Sequence, residues 1–135
     1  CYRIETAAKK NVFERRYVYG LGEPLDIASM RRAAAYLTGE HDFKAFKASG
    51  TSSKSSVRTI YNAKVYKIDE KIYIELTGNG FLYNMVRIIA GTLVEVGLGK
   101  IKPDEIPKNI KSGKRERAGK TLPPNGLYLL NVMYE

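Results

Sequence analysis

The order of periodic segments along the chain predicts an α+β fold: an antiparallel sheet with helices on one face, in β-α-β-β-α-β ferredoxin-like order. Three observations predict it. Residues 57–67 and 72–78 alternate at period two around a short polar "IDEK", which reads as a hairpin. Residues 26–39 and 81–96 repeat apolar side chains at helical spacing. Strand-forming stretches, "CYRIETAA" (1–8) and "GLYLLNVMY" (126–134), flank the whole. With 135 residues, 44% of them hydrophobic, one compact domain over 1–135 is the natural reading, and no repeat or linker divides it.

Each element has its local reasons. After the first strand comes a basic, aromatic segment, "KKNVFERRYVYGLG". In "EPLDIASMRRAAAYLTG" Asp26 is an N-cap, because its carboxylate can accept from the free amides of the first turn. Met30, Ala33, Ala34 and Leu37 form the apolar stripe, and Gly39 suits the left-handed position that ends a helix. In "HDFKAF" Asp42 can cap a short turn that plants Phe43 and Phe46 together. Residues 47–56, "KASGTSSKSS", lack periodicity and read as a loop, either plainly solvated or touching phosphate. In 57–67 the alternation puts Val57, Thr59, Tyr61, Ala63 and Val65 on one face. The second helix is expected from Phe81 to Val96, with Phe81, Met85, Ile89, Leu93 and Val96 inward and a stop near Gly97 and Gly99. Pro103 opens a third helix, "PDEIPKNIKSG", and "KRERAGKTLPP" is a basic loop.

The formal net charge is +9, which bears on partners rather than fold. Lys9, Lys10, Arg15, Arg16, Arg31 and Arg32 crowd the first third, and Lys111, Lys114, Arg115, Arg117 and Lys120 crowd the late loop. Patches of this kind suit a polyanion such as RNA better than they suit a merely soluble, lysine-rich surface. Cys1 is the one cysteine, so no disulfide framework and no cysteine metal site is expected, and a cytoplasmic protein fits. No apolar run approaches a membrane span, so no membrane partner is expected.

Arg87 is the residue that asks for an explanation, because it stands among Met85, Val86, Ile88 and Ile89. At 3.6 residues per turn it falls off the centre of the apolar face, beside Tyr83, Gly91 and Val94. It could look into solvent. Yet Gly91 costs helix stability while leaving room, and its neighbours are apolar, which suits a segment packing on this side. A buried arginine must be paired, and its rigid fork fits a carboxylate or phosphate. His41, the lone histidine, is better read as structural or capping than as a ligand. The four aspartates, Asp26, Asp42, Asp69 and Asp104, all sit at caps or turns. Tyr2 could stack on a base. No Ser-His-Asp grouping, phosphate loop or paired-carboxylate site is present in the sequence.

"GNGFLYNMVRIIAGTLVEVGLGK" (78–100) resembles the helix motif of the TruA family of tRNA pseudouridine synthases. The resemblance covers essentially the whole chain. "EPLDIASMRRAAAYLTGEHDFKAF" is similar to the family's helix and HDF-x-x-F turn, "SSVRTI" to the strand entry after its variable loop, and "PPNGLYLLNVMY" to its closing strand. "CYRI" is similar to a Tyr-x-Tyr strand, with Ile4 at the second tyrosine, and Leu122 stands where alanine is common.

That resemblance implies half of the pseudouridine synthase fold, a tRNA partner, a homodimer, and isomerisation of uridine at positions 38, 39 and 40 of the anticodon stem-loop without a cofactor. The C1′–N1 bond breaks, the uracil turns, and C5 joins C1′. It implies that Tyr2 packs on the target base, that Arg87 pairs with a catalytic aspartate, and that Arg58 is a weaker candidate for RNA contact. The aspartate belongs to a Gly-Arg-Thr-Asp motif of the family's N-terminal half. That motif does not occur here, and Arg58-Thr59 is followed by Ile60. The expectation is a C-terminal domain, a fragment inactive alone, with the N-terminal catalytic domain supplied elsewhere. A stand-alone basic RNA-binding module without catalysis is the alternative, and a scaffold or dimerisation domain the third.

Overall fold

The computed structural model describes residues 2–5, 19–20, 25–47, 55–68, 71–82, 84–122 and 127. Five strands form one sheet: β1 (Tyr2–Glu5), β2 (Tyr19–Gly20), β3 (Gly39–Asp42), β4 (Val57–Ile68) and β5 (Lys71–Gly78), in the order β2-β1-β5-β4-β3. From β1 to β3 every pairing is antiparallel, and only the two-residue β2 runs parallel, beside β1. The second hairpin strand, β5, therefore lies between β1 and β4, as the ferredoxin-like order requires. The short strands β2 and β3 were not expected from the sequence.

The sheet is covered by α1 (Ile27–Ala35), which packs on β4 and on α2 (Met85–Gly97), while α2 also meets β1. α1 begins as its sequence dictates: Asp26 Oδ1 accepts from the Ser29 amide at 3.2 Å and Oδ2 from the Ser29 hydroxyl at 2.8 Å. Met30, Ala33, Ala34 and Leu37 are buried, as their spacing predicts. Gly39, with φ of 102°, opens β3 after the last helical turn closes at Leu37. The two helices touch at Gly97, whose carbonyl accepts from the Asp26 amide at 3.0 Å.

Ile72 and Ile74 of β5 point into the core, and their half-exposed alternates Tyr73 and Glu75 do not. Each fully buried side chain of this size contributes about 1.5–3 kcal/mol. β4 departs from strict alternation. Its ladder pairs Ile60 with Gly78 but Asn62 with Thr77, so Tyr61 is an extra residue in a bulge. The bulge flips the phase. Ile60 is buried ahead of it and Val65 beyond it, whereas Val57 and Tyr61 are exposed, Tyr61 to 64%. The single face expected from sequence alternation is therefore split: Ala63 and Val65 turn to the core, and Val57 and Tyr61 do not.

The second helix also starts later than expected. Asn84 has φ of 61°, a left-handed conformation that no right-handed helix continues through. Residues 78–80 are tied to β4 instead. The Asn79 amide donates to the Thr59 carbonyl at 3.0 Å, and Asn79 Oδ1 accepts from the Thr59 amide at 2.9 Å. Phe81 is consequently exposed, outside the helix, while Met85, Ile89, Leu93 and Val96 are buried as expected. A 3-10 turn, Pro103–Glu105, leads into α3 (Ile106–Ser112), which ends at Gly113 in the left-handed region, and a further 3-10 turn covers Arg115–Arg117. Of the expected closing strand only Leu127, an isolated bridge residue, is among the described residues. Asp69, Tyr83, loop residues 48–54 and the basic positions Lys9, Lys10, Arg15 and Arg16 lie outside them. Among the described residues no helix is long and apolar enough to cross a membrane.

Candidate functional site

Gly91, one turn beyond Arg87, decides what the arginine meets. It is buried, and a methyl there would overlap the Lys120 carbonyl oxygen. Gly119 is equally constrained, since its Cβ would lie 2.6 Å from the Thr92 amide nitrogen. Two glycines without side chains thus let residues 118–122 lie directly against α2. Thr92, buried, completes the seam. Its hydroxyl donates to the Ile88 carbonyl at 2.8 Å and accepts from the Gly119 amide at 2.8 Å. The segment that the sequence asked for on this side of the helix is the tail of the chain's own basic loop.

Arg87 is half-buried beside this seam. Its Nε–H donates to the Leu122 carbonyl at 2.7 Å, and Nη1 donates to Asn84 Oδ1 at 2.9 Å. Leu122 returns the bond, its amide donating to the Arg87 carbonyl at 3.3 Å. Among the described residues no carboxylate pairs with Arg87. Its guanidinium plane is therefore set by a carbonyl and a carboxamide, neither of which neutralises its charge. Sequence reasoning singled out Arg87 but not Asn84, whose left-handed backbone and side-chain bond to the arginine belong to the same corner.

Tyr2 starts β1, where its backbone pairs opposite Ile74. The structure thus places β1 beside β5 and against α2, the helix of Arg87. Arg58, half-buried on β4, donates from Nη1 to the Ser55 carbonyl at 2.9 Å and the Val57 carbonyl at 2.8 Å. Its side chain also lies against the turn before α2: a Cβ at Gly80 would stand 3.6 Å from Arg58 Nε. Arg58 therefore braces that turn and the entry to β4.

The remaining polar candidates are structural. His41 Nε2 donates to the Thr38 carbonyl at 2.8 Å, and its ring meets Phe43 edge-on at 5.6 Å. Asp42 Oδ1 accepts from the Lys44 amide at 3.1 Å and sets Phe43 and Phe46 edge to face at 6.1 Å. Among the described residues no three His, Cys, Asp or Glu side chains are grouped to hold a metal. The late basic loop divides in two. Lys111, Lys114, Arg117 and Lys120 are exposed, but Arg115 turns inward, donating from Nη1 to the Gly119 carbonyl at 2.7 Å and from Nη2 to Thr121 Oγ1 at 3.2 Å.

Fold and site together define a basic α+β structure in which Arg87 is held by two neutral acceptors and, among the described residues, has no carboxylate partner. Comparison with known proteins makes the class specific. Residues 33–135 match the family model described as tRNA pseudouridine synthase. The chain is 51% identical to a tRNA pseudouridine synthase A of Acetivibrio thermocellus over 98% of its own length and 54% of the relative's. It is 54% identical to one of Thermoanaerobacter sp. over 89% of its length and 49% of the relative's. Against that of Bacillus pumilus the figures are 48%, 99% and 54%. The chain belongs to the tRNA pseudouridine synthase family, and it spans about half the length of the curated relatives it matches.

Proposed function

We propose that this chain forms one wall of the active site of a tRNA pseudouridine synthase, with Arg87 as the anchor for a catalytic aspartate contributed by the other half of the enzyme. The observation that carries the reading is the posture of Arg87: fixed through Nε and Nη1, and without a carboxylate among the described residues. Asp26 and Asp42 are engaged in caps and do not compete for it. A guanidinium held in this way costs little reorganisation when an anion arrives.

The chemistry is an isomerisation and balances without a cofactor. The C1′–N1 glycosidic bond breaks, C5 bonds to C1′, the proton on C5 is lost, and N1 gains one. Uridine in the anticodon stem-loop, at positions 38, 39 and 40, is the substrate, and the base leaves its stack to reach the site. Tyr2 packs on that base. Arg58 orders the turn that leads into α2, with contact to RNA as its second role. The exposed Lys111, Lys114, Arg117 and Lys120 take the phosphate backbone, the large salt-dependent part of nucleic-acid affinity. A homodimer in the cytoplasm completes the reading.

The test is pseudouridine formation on an anticodon stem-loop by the purified 135-residue chain and by the complete enzyme. The complete enzyme turns over and the chain alone does not. Turnover by the chain alone would remove the need for an outside aspartate. No turnover by the complete enzyme, with RNA still bound, would favour an RNA-binding module without catalysis.

A further inference from the structure

Arg115 belongs, by sequence, to the cluster of basic residues in the late loop, and the structure separates it from them. Lys114 and Arg117 face solvent, while the Arg115 guanidinium is turned back onto its own loop. Nη1 holds the Gly119 carbonyl at 2.7 Å and Nη2 holds the Thr121 hydroxyl at 3.2 Å. These two residues bracket Lys120, whose carbonyl lies against Gly91. The same Gly119 gives its amide to Thr92, and the chain then reaches Leu122, whose carbonyl holds Arg87 Nε at 2.7 Å.

We propose that Arg115 is a positioning residue for Arg87: it locks residues 119–121 onto α2 and so fixes the Leu122 carbonyl that orients the Arg87 guanidinium. The proposal rests on the reading of Arg87 as an anchor for a catalytic carboxylate. A loop of this length without regular structure would let its carbonyls wander. Arg115 removes that freedom by bonding two points on either side of Lys120. Lysine could not do the same, because it lacks the planar pair of donors that spans a carbonyl and a hydroxyl together. A chain of two arginines joined by a short strap accounts for a cation spent where no anion is present among the described residues.

The experiment is done in the complete enzyme. Arg115→Ala lowers kcat by about two- to thirtyfold, the range for a residue coupled to a site through packed neighbours. KM for tRNA and the slope of binding against salt stay as they were. Arg115→Lys recovers only part of the rate. Thr121→Val removes one of the two bonds and lowers kcat less, and it serves if Arg115→Ala fails to fold. A second readout is independent of chemistry: solvent exchange of the Arg87 Nε–H, followed in enzyme labelled with nitrogen-15, is faster in both variants than in the native protein. The proposal is overturned if Arg115→Ala keeps kcat but weakens tRNA binding and reduces the salt slope by about one, the signature of a phosphate contact. Unchanged Nε–H exchange in both variants also overturns it. Should the native enzyme form no pseudouridine, the functional reading fails alone, and the exchange measurement still decides whether Arg115 holds Arg87.

Discussion

Arg87 and Leu122 are tied to each other twice: the arginine's Nε–H donates to the Leu122 carbonyl at 2.7 Å, and the Leu122 amide donates to the Arg87 carbonyl at 3.3 Å. One bond fixes a side chain and the other fixes a backbone, so the helix and the strap move together or not at all. Leu122 is fully buried, which anchors the far end of this pair in the core. The orientation of the guanidinium is thus a property of the fold, present before any ligand arrives.

Gly91→Ala tests the closeness of that strap. On an open helix face alanine would stabilise by about 1 kcal/mol over glycine. Here the new methyl would overlap the Lys120 carbonyl oxygen, which is backbone and cannot swing aside. Overpacking costs about 1–3 kcal/mol and outweighs the helix gain. The expected result is a melting temperature lower by several degrees, with the Arg87–Leu122 pair loosened. A rise in melting temperature would mean that the strap does not lie on α2.

Much of this arrangement was legible in the sequence, and the exceptions have causes. Gly91 beside Arg87 and Val94 announced a close neighbour, because a glycine inside an apolar helix needs a reason. The identity of that neighbour was not legible, since Gly119 and Lys120 lie in an aperiodic loop. The bulge at Tyr61 was hidden too. Alternation through Val57, Thr59 and Tyr61 looks regular, and only the partner strand, pairing Ile60 with Gly78 and Asn62 with Thr77, reveals the inserted residue. The sequence suggests an earlier start for α2, because Phe81 fits the helical period. The left-handed Asn84 overrides that period. By sequence Arg115 groups with Lys114, and composition cannot tell a cation facing solvent from one folded back onto carbonyls. His41 and the caps at Asp26 and Asp42 were readable because their partners are within three residues.

Asp26 gives a pH dependence. Its pKa is lowered from the ordinary 3.8, first by the Ser29 hydroxyl and then by the Ser29 amide. A carboxyl whose folded-state pKa is depressed stabilises the fold above its unfolded pKa, and the effect is lost as pH falls through the folded value. Asp26→Ala is therefore less stable than the native chain near neutral pH. The gap narrows as pH falls below 3.8 and reaches its smallest value once the folded carboxyl is protonated. Urea unfolding of both proteins down the acid range measures it. A gap that persisted unchanged at the acid end would show that the carboxylate charge is not what caps α1.

Lys114 and Arg117 are the exposed cations flanking Arg115. In the complete enzyme each change to alanine should raise the Kd for tRNA and reduce the slope of log affinity against log salt by about one. The loss should be largest at low salt and fade as screening shortens to about 3 Å near 1 M. Filter binding across a salt series reads both quantities. An unaltered slope would place these side chains away from the RNA backbone.

Arg87→Lys separates anchoring from binding. Lysine keeps the positive charge but has one nitrogen where arginine uses Nε for Leu122 and Nη1 for Asn84. A lysine ammonium can hold one of these partners or an incoming carboxylate, and it cannot hold all of them in a plane. A misplaced or lost charge-assisted hydrogen bond costs about 1.5–3 kcal/mol. If that cost falls on the transition state, kcat in the complete enzyme drops roughly ten- to a hundredfold. tRNA affinity should change little, because the net charge facing the polyanion is the same. Single-turnover rates at saturating tRNA, set beside equilibrium binding, distinguish the two effects. Normal turnover at saturation would make Arg87 a brace for Leu122 and nothing more. Weakened binding with normal turnover would make it a contact to phosphate. Only a loss confined to the chemical step fits an arginine whose free edge meets the catalytic carboxylate.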